Sequence, residues 1–323
     1  MNAGEYHRGR RFARTPFGDV AFVERGSGPV AVFVHGYPLN GYQWRDIIER
    51  LSDVRRCIAL DLMGAGYTRT ALDQAVSYPA QARMIDAFLD ALGIDQIDLV
   101  GNDSGSAVSQ IFAAHYANRL RSLTLTNSVV YDHWPPPSLV WLVEAARAGT
   151  YKTRLKRMLA NLDQFRANLG HVYEHPDRLP DEALRAYYEP FIASDVTERN
   201  LERFITSINA RHTVEIEGLL KELHVPTLIM WGTGDNIFPL TGLIGSRRRF
   251  LALARSSNSR VPSSGFRRNT LSSSARNCGH IGVGLRWTPT QDRHLRTVRG
   301  GEPAAALLST GGSIRCRSSI IFP

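Results

Sequence analysis

The spacing of apolar positions changes period repeatedly along the first half of this chain. Val30–Val34 is an unbroken apolar run, and Arg56–Leu60, Ile97–Val100 and Leu120–Thr126 are short segments of similar character. Runs of this length suit strands buried on both faces of a sheet. Between them the period lengthens. Trp44, Ile47, Ile48 and Leu51 fall at helical intervals, residues 79–92 form a periodic segment from Pro79 to the terminating Gly93, and Ala107–Ala117 is a third such stretch. Residues 17–25 alternate loosely and read as an early strand or hairpin before the turn Gly26-Ser27-Gly28-Pro29. Strands alternating with helices at these intervals need crossover connections, so the expected fold class is α/β with a mostly parallel sheet.

Near Val130 the rhythm breaks. Trp134-Pro135-Pro136-Pro137 interrupts regular structure, and helical patterning then dominates until the apolar run Val225–Trp231. This order predicts a first part of the core over 1–130, a helical cap over 131–220, a return to the core over 221–240, and an atypical tail over 241–323.

Composition bounds the function. At 323 residues with 43% hydrophobic content, the chain can bury a large core. No apolar run approaches the roughly 18 residues of a membrane span, and the amino end lacks signal-peptide order. A cytoplasmic protein is therefore expected. The net charge of +9 is concentrated at one end: residues 241–323 hold 14 arginines against Asp292 and Glu302, leaving residues 1–240 mildly acidic. With neither aromatic interleaving nor a nucleic-acid motif, that distribution argues against a nucleic-acid partner. Cys57, Cys278 and Cys316 have no metal-ligand spacing. No metal or cofactor is expected.

The chemistry centres on Gly101-Asn102-Asp103-Ser104-Gly105, directly after a strand and before a helix. Small residues two positions to either side allow the tight, strained turn that presents a nucleophile. Here the presented residue is a carboxylate. Asp103 could attack an electrophilic carbon and form an alkyl ester for an activated water to hydrolyse. Helix-terminus amides are expected to keep it ionised. Ser104 as an esterase nucleophile requires a one-residue shift, and a simple helix cap by Asp103 is the structural alternative. Asp235, after the strand Thr227–Trp231, is the preferred acid to orient a histidine, with loop capping as its competing role. Asn127, after the preceding strand, cannot neutralise an imidazolium. His35 suits organisation of an oxyanion loop rather than general-base work, with Tyr37 supplying its backbone amide.

Taken with His35-Gly36-Tyr37-Pro38, Trp44-Arg45, Asp61–Gly66 and Trp231–Asp235, the elbow resembles the haloalkane dehalogenase and epoxide hydrolase branch of the α/β-hydrolases over roughly residues 17–240. That resemblance implies a haloalkane dehalogenase-like hydrolase with an aspartate nucleophile, acting with a catalytic water on a small apolar electrophile under a cap, with epoxide hydrolysis the nearest alternative. It also implies that Tyr37 and Ser104 shape an oxyanion or halide site. Typical dehalogenases carry an Asn or Glu near the first loop and a Trp after the nucleophile; the matching positions here hold Tyr37 and Ser104. Trp134 or Trp141 could supply an indole donor. Epoxide opening needs an acidic hydroxyl, for which Tyr151, Tyr173, Tyr187 and Tyr188 are available. A binding protein that keeps the pocket without a working histidine is the alternative of a different class.

The resemblance also expects a histidine near the carboxyl end. His280, in Asn277-Cys278-Gly279-His280, is the candidate base and His294 the other option. Their surroundings are rich in Arg and Ser with weak periodicity, a composition typical of disorder or of out-of-frame translation. Thr241–Leu253 can be encoded by a string that, read from its third base, gives Trp-Leu-Asp-Trp-Leu-Ala-Thr-Thr-Ile-Pro-Gly-Thr. A frameshift near Leu240 is therefore expected, and sequencing the coding DNA across codons 235–260 decides it.

Overall fold

The computed structural model describes residues 1–129, 131–132, 134–232, 234–235 and 237–238, with the backbone of 306–307. His280, His294 and the frameshift expectation lie outside the described residues.

Eight strands form one sheet: β1 (Arg10–Thr15), β2 (Gly18–Arg25), β3 (Val30–Val34), β4 (Arg56–Leu60), β5 (Ile97–Asp103), β6 (Leu120–Ser128), β7 (Thr227–Trp231) and β8 (Ala306–Leu307). Their order is β1-β2-β4-β3-β5-β6-β7-β8. The five strands from β4 to β7 run parallel, while β1, β2 and β8 pair antiparallel at the two sides. This is the mostly parallel α/β core that the alternating pattern predicts.

Strand alternation sends residues to both faces, as the unbroken apolar runs require. Val32, Val34, Ile58 and Leu60 join the large core beneath the helices Tyr78–Ala91 and Ser104–His115. Ala31, Phe33, Cys57 and Ala59 pack on the opposite face against Trp44 and Ile48. Each fully buried large aliphatic side chain contributes about 1.5–3 kcal/mol of transfer free energy.

Two amino-terminal elements differ from the sequence reading. Asn2 and Glu5 form a capping box on the helix Ala3–Arg8. Arg10–Thr15 pairs with β2 as an edge strand, and its arginines hide the strand pattern because an edge can keep polar side chains in solvent.

Between β6 and β7 the chain inserts a predominantly helical cap-like layer, including Val140–Arg147, Tyr151–Ala160, Leu162–Asn168, Asp181–Tyr188 and Asp195–Ser207. Polar contacts tie it to the core. Asn40 Nδ2 donates to the Ala186 carbonyl at 2.7 Å, Arg45 to the Tyr187 hydroxyl at 2.8 Å, and Asn200 Nδ2 to the Thr70 carbonyl at 2.7 Å. Among the described residues, no helix is long and apolar enough to cross a membrane.

Candidate active site

The carboxyl end of β5 turns sharply into a helix at Asp103, whose φ of 55° and ψ of −124° are unusual for a non-glycine residue. The register against β6 is interrupted between Asn102 and Asp103. Irregularities of this kind re-aim a side chain at a sheet edge. The small neighbours are steric requirements. A Cβ on Gly105 would collide with the carbonyls of Val34 and His35, and one on Gly36 would lie 2.6 Å from Asp103 Cβ. The helix begins at Ser104, three residues before the periodic stretch starts, because the elbow itself supplies its first turn.

Asp103 sits on the floor of a cavity of about 720 Å³ enclosed between the sheet and the helical layer. Its Oδ1 accepts from the Ser104 amide and, at 3.4 Å, from the Tyr37 amide. Two backbone donors from different loops thus converge at the elbow. Burial outweighs them and pushes the carboxyl up to about 7; the nearby Asp235 carboxylate adds to that push. The helix-terminus amides expected to keep Asp103 ionised do favour its charged form, and desolvation opposes them more strongly.

Ser104 is fully buried, and its hydroxyl accepts from the Tyr37 amide at 2.9 Å. It lies beneath the floor and does not line the cavity. His35 is buried as well. Its Nδ1 donates to the Gly36 carbonyl at 2.9 Å, and its Nε2 accepts from the Leu62 amide at 2.9 Å, so both ring nitrogens are committed to bracing the loop. Burial lowers its pKa, in keeping with the neutral tautomer.

A polar chain holds the same loop from the other side. The Gly36 amide donates to Gln43 Oε1 at 2.9 Å, Gln43 Nε2 to Asn102 Oδ1 at 2.7 Å, and Asn102 Nδ2 to Thr126 Oγ1 at 3.0 Å. Gln43 and Asn102 both line the cavity. Gln43 carries no local sequence signal for this task, since its partner is 59 positions away.

Asp235 reaches the cavity too, but its oxygens are occupied. Oδ1 accepts from the Ile237 and Phe238 amides at 2.7 and 2.8 Å, which is loop capping, and Oδ2 accepts from Asn127. Asn127 also accepts the Gly232 amide through its Oδ1 at 3.3 Å. The two acid positions weighed from sequence, at the ends of β6 and β7, are therefore direct neighbours.

The wall is aromatic. Tyr151, Tyr173, Tyr187 and Tyr188 all line the cavity. Burial raises every one of these phenols, Tyr151 to about 12, so they are proton carriers at neutral pH. The Tyr37 ring packs against Phe191 and Phe204, with its hydroxyl beside that of Tyr151. Trp134, read from sequence as a pocket residue, is buried away from the cavity. Trp141, on the helix Val140–Arg147, lines the cavity instead. Among the described residues, no cluster of His, Cys, Asp and Glu has the arrangement of a metal site.

A parallel sheet with a residue presented at a strained strand-to-helix elbow, roofed by an inserted helical layer, defines an α/β hydrolase. The alpha/beta hydrolase fold family matches residues 29–261, and the chain belongs to that family. It is similar to the cis-3-alkyl-4-alkyloxetan-2-one decarboxylase of Shewanella oneidensis, 27% identical over 67% of this chain and 70% of the relative. Haloalkane dehalogenase 2 of Mycobacterium tuberculosis is 26% identical over 68% of this chain and 76% of that protein. Among solved structures, an alpha/beta hydrolase fold protein from Burkholderia ambifaria shares the fold at a TM-score of 0.65 and 23% identity, covering 75% of this chain and 87% of that one. The epoxide hydrolase CorEH does so at a TM-score of 0.59 and 20% identity, covering 69% and 82%.

Proposed function

We propose that this chain is an aspartate-nucleophile hydrolase, opening an apolar electrophile through an alkyl ester on Asp103. The observation that carries the reading is the elbow carboxylate on the cavity floor, under the Tyr37 and Ser104 amides. In the first step an Asp103 oxygen forms a bond to the electrophilic carbon while the bond to the leaving atom breaks. In the second, water adds to the ester carbonyl carbon, and the oxyanion that develops there faces the same two amides. Collapse returns the carboxylate and releases an alcohol. The second step needs a base to take a proton from water. Asp235, next to Asn127, is the acid that would orient it, and His280 is the sequence candidate for the base.

The wall favours oxygen as the leaving atom. Raised phenols, Tyr151 foremost, can protonate an alkoxide as it departs, which suits epoxide hydrolysis. The name of the Shewanella relative likewise contains a strained oxygen ring. Dehalogenation is the second reading, favoured by the mycobacterial relative and by Trp141 at the cavity wall. Ester hydrolysis through Ser104 requires a hydroxyl that the elbow keeps beneath the floor.

The test is incubation of purified protein with a short haloalkane and, separately, an epoxide, following halide release, diol formation and intact mass. Turnover, or an Asp103 adduct, that disappears in Asp103→Asn supports the reading. Folded protein that gives neither is a binding protein or an inactive relative. Turnover that survives Asp103→Asn rules out the carboxylate as nucleophile.

A further inference from the structure

The cavity is large for a short haloalkane. A volume of about 720 Å³ lies well within the range of roughly 300–1,000 Å³ that holds drug-sized ligands. It shares the wall residues Trp141, Arg154, Met158, Phe165 and Asn168 with a second groove on the helical layer. The character of the lining changes across that seam. On the Asp103 side tyrosines and aliphatic residues stand beside Gln43, Asn102, Asn127 and Asp235. On the groove side it carries Arg154 and Arg157, one helical turn apart on Tyr151–Ala160.

Arg154 is the single cationic residue among the described residues that line the catalytic cavity. It is held at the seam by Trp141, with its guanidinium carbon 4.7 Å from the ring centroid. Neither Arg154 nor Arg157 forms an ion pair with a described carboxylate, whereas Lys152 on the same helix pairs with Asp195 and Glu198. Among the described residues, Glu144 is the one carboxylate lining the groove, and Glu174 lines the cavity but not the groove. The stacked guanidinium therefore presents unused donors where an apolar chamber meets water, the geometry a carboxylate would occupy.

Resting on the proposed elbow chemistry, we infer that the substrate is an amphiphilic acid: an apolar chain whose electrophilic carbon reaches Asp103 and whose anionic end is held at the seam by Arg154, with Arg157 beside it. An acid inserted head-first would bury its charge beside the Asp103 and Asp235 carboxyls, away from Arg154, and this sets the orientation. Arg154 is then a specificity-determining residue that acts through binding and leaves the bond-making step untouched.

The test is equilibrium binding of sodium decanoate and of its uncharged counterpart decanamide to the full chain at low salt, followed by calorimetry. Native protein is expected to bind decanoate about tenfold more tightly than decanamide. The Arg154→Gln/Arg157→Gln double variant abolishes that preference while leaving decanamide affinity unchanged, and Arg154→Lys keeps part of it. Both positions are exposed on a helix, and circular dichroism verifies that the variants are folded. Equal affinities in the native protein, no binding of either probe, or a double variant that loses both ligands alike would overturn the inference. Decanoate binding should persist in Asp103→Asn. Intact-mass adduct formation by uncharged 1,2-epoxydecane reports on the elbow separately, so failure of one proposal is distinguishable from failure of the other.

Discussion

The floor and the roof of the cavity are built on different principles. On the floor, backbone sterics dictate residue identity: Gly36, Gly101 and Gly105 are each crowded where a Cβ would sit, and Asp103 adopts a strained conformation that few sequences satisfy. On the roof, Gly170 lines the cavity with no neighbour within 4 Å of a Cβ, and the lining depends on which way ordinary helices turn their tyrosines and Arg154. On the proposed reading the attacking group is fixed by a rigid segment of a few residues, while proton donors and substrate contacts come from the helical layer.

The largest expected effect breaks the floor chemically. Asp103→Asn removes the attacking oxygen, and turnover is expected to fall by about four orders of magnitude or more with the fold intact, measured as product release per active protein. Next comes the steric contrast. Gly105→Ala should cost on the order of 3 kcal/mol or more through collision with the Val34 and His35 carbonyls, whereas Gly170→Ala should stay within about 0.5 kcal/mol. Chemical denaturation of the two variants decides whether floor and roof differ in this way.

That contrast also explains what could be read from the chain alone. The elbow was legible because Gly101, Asp103 and Gly105 stand at spacings that only a tight turn demands, and the core strands because burial on both faces leaves unbroken apolar runs. The edge strand Arg10–Thr15 was hidden, since an edge tolerates arginine. Trp134 and Trp141 are alike in type, and only the fold separates them, with Trp134 buried before the helix Val140–Arg147 and Trp141 on that helix lining the cavity. Gln43 was invisible because its role depends on Asn102, brought beside it by the sheet. The balance on Asp103 is only half visible in the sequence, since helix amides are evident there and the desolvation that pushes the carboxyl up to about 7 is not.

A smaller effect sharpens the roof. If Tyr151 protonates a departing oxygen, Tyr151→Phe should slow epoxide opening by about 10²-fold while leaving halide release from a haloalkane nearly unchanged. The pH dependence is smaller again. With Asp103 pushed up to about 7, the rate of adduct formation should rise about tenfold per pH unit below that value and level off above it, in stopped assays across pH 5–9. The stability contribution has the opposite sign. The folded protein retains a proton on Asp103 that the unfolded chain releases near pH 4, so this group stabilises the fold less as pH climbs from about 4 to about 7. Asp103→Asn should remove that slope from denaturation midpoints.

The most direct measurement is a single turnover of an epoxide in water enriched in oxygen-18, with enzyme in excess and the Asp103 peptide weighed afterwards. An ester on Asp103 predicts that the first diol carries ordinary oxygen taken from the carboxylate, and that the Asp103 peptide gains the heavy isotope from solvent. Heavy oxygen in that first diol, with the peptide unchanged, would mean that water attacks the substrate directly and that Asp103 is not the nucleophile.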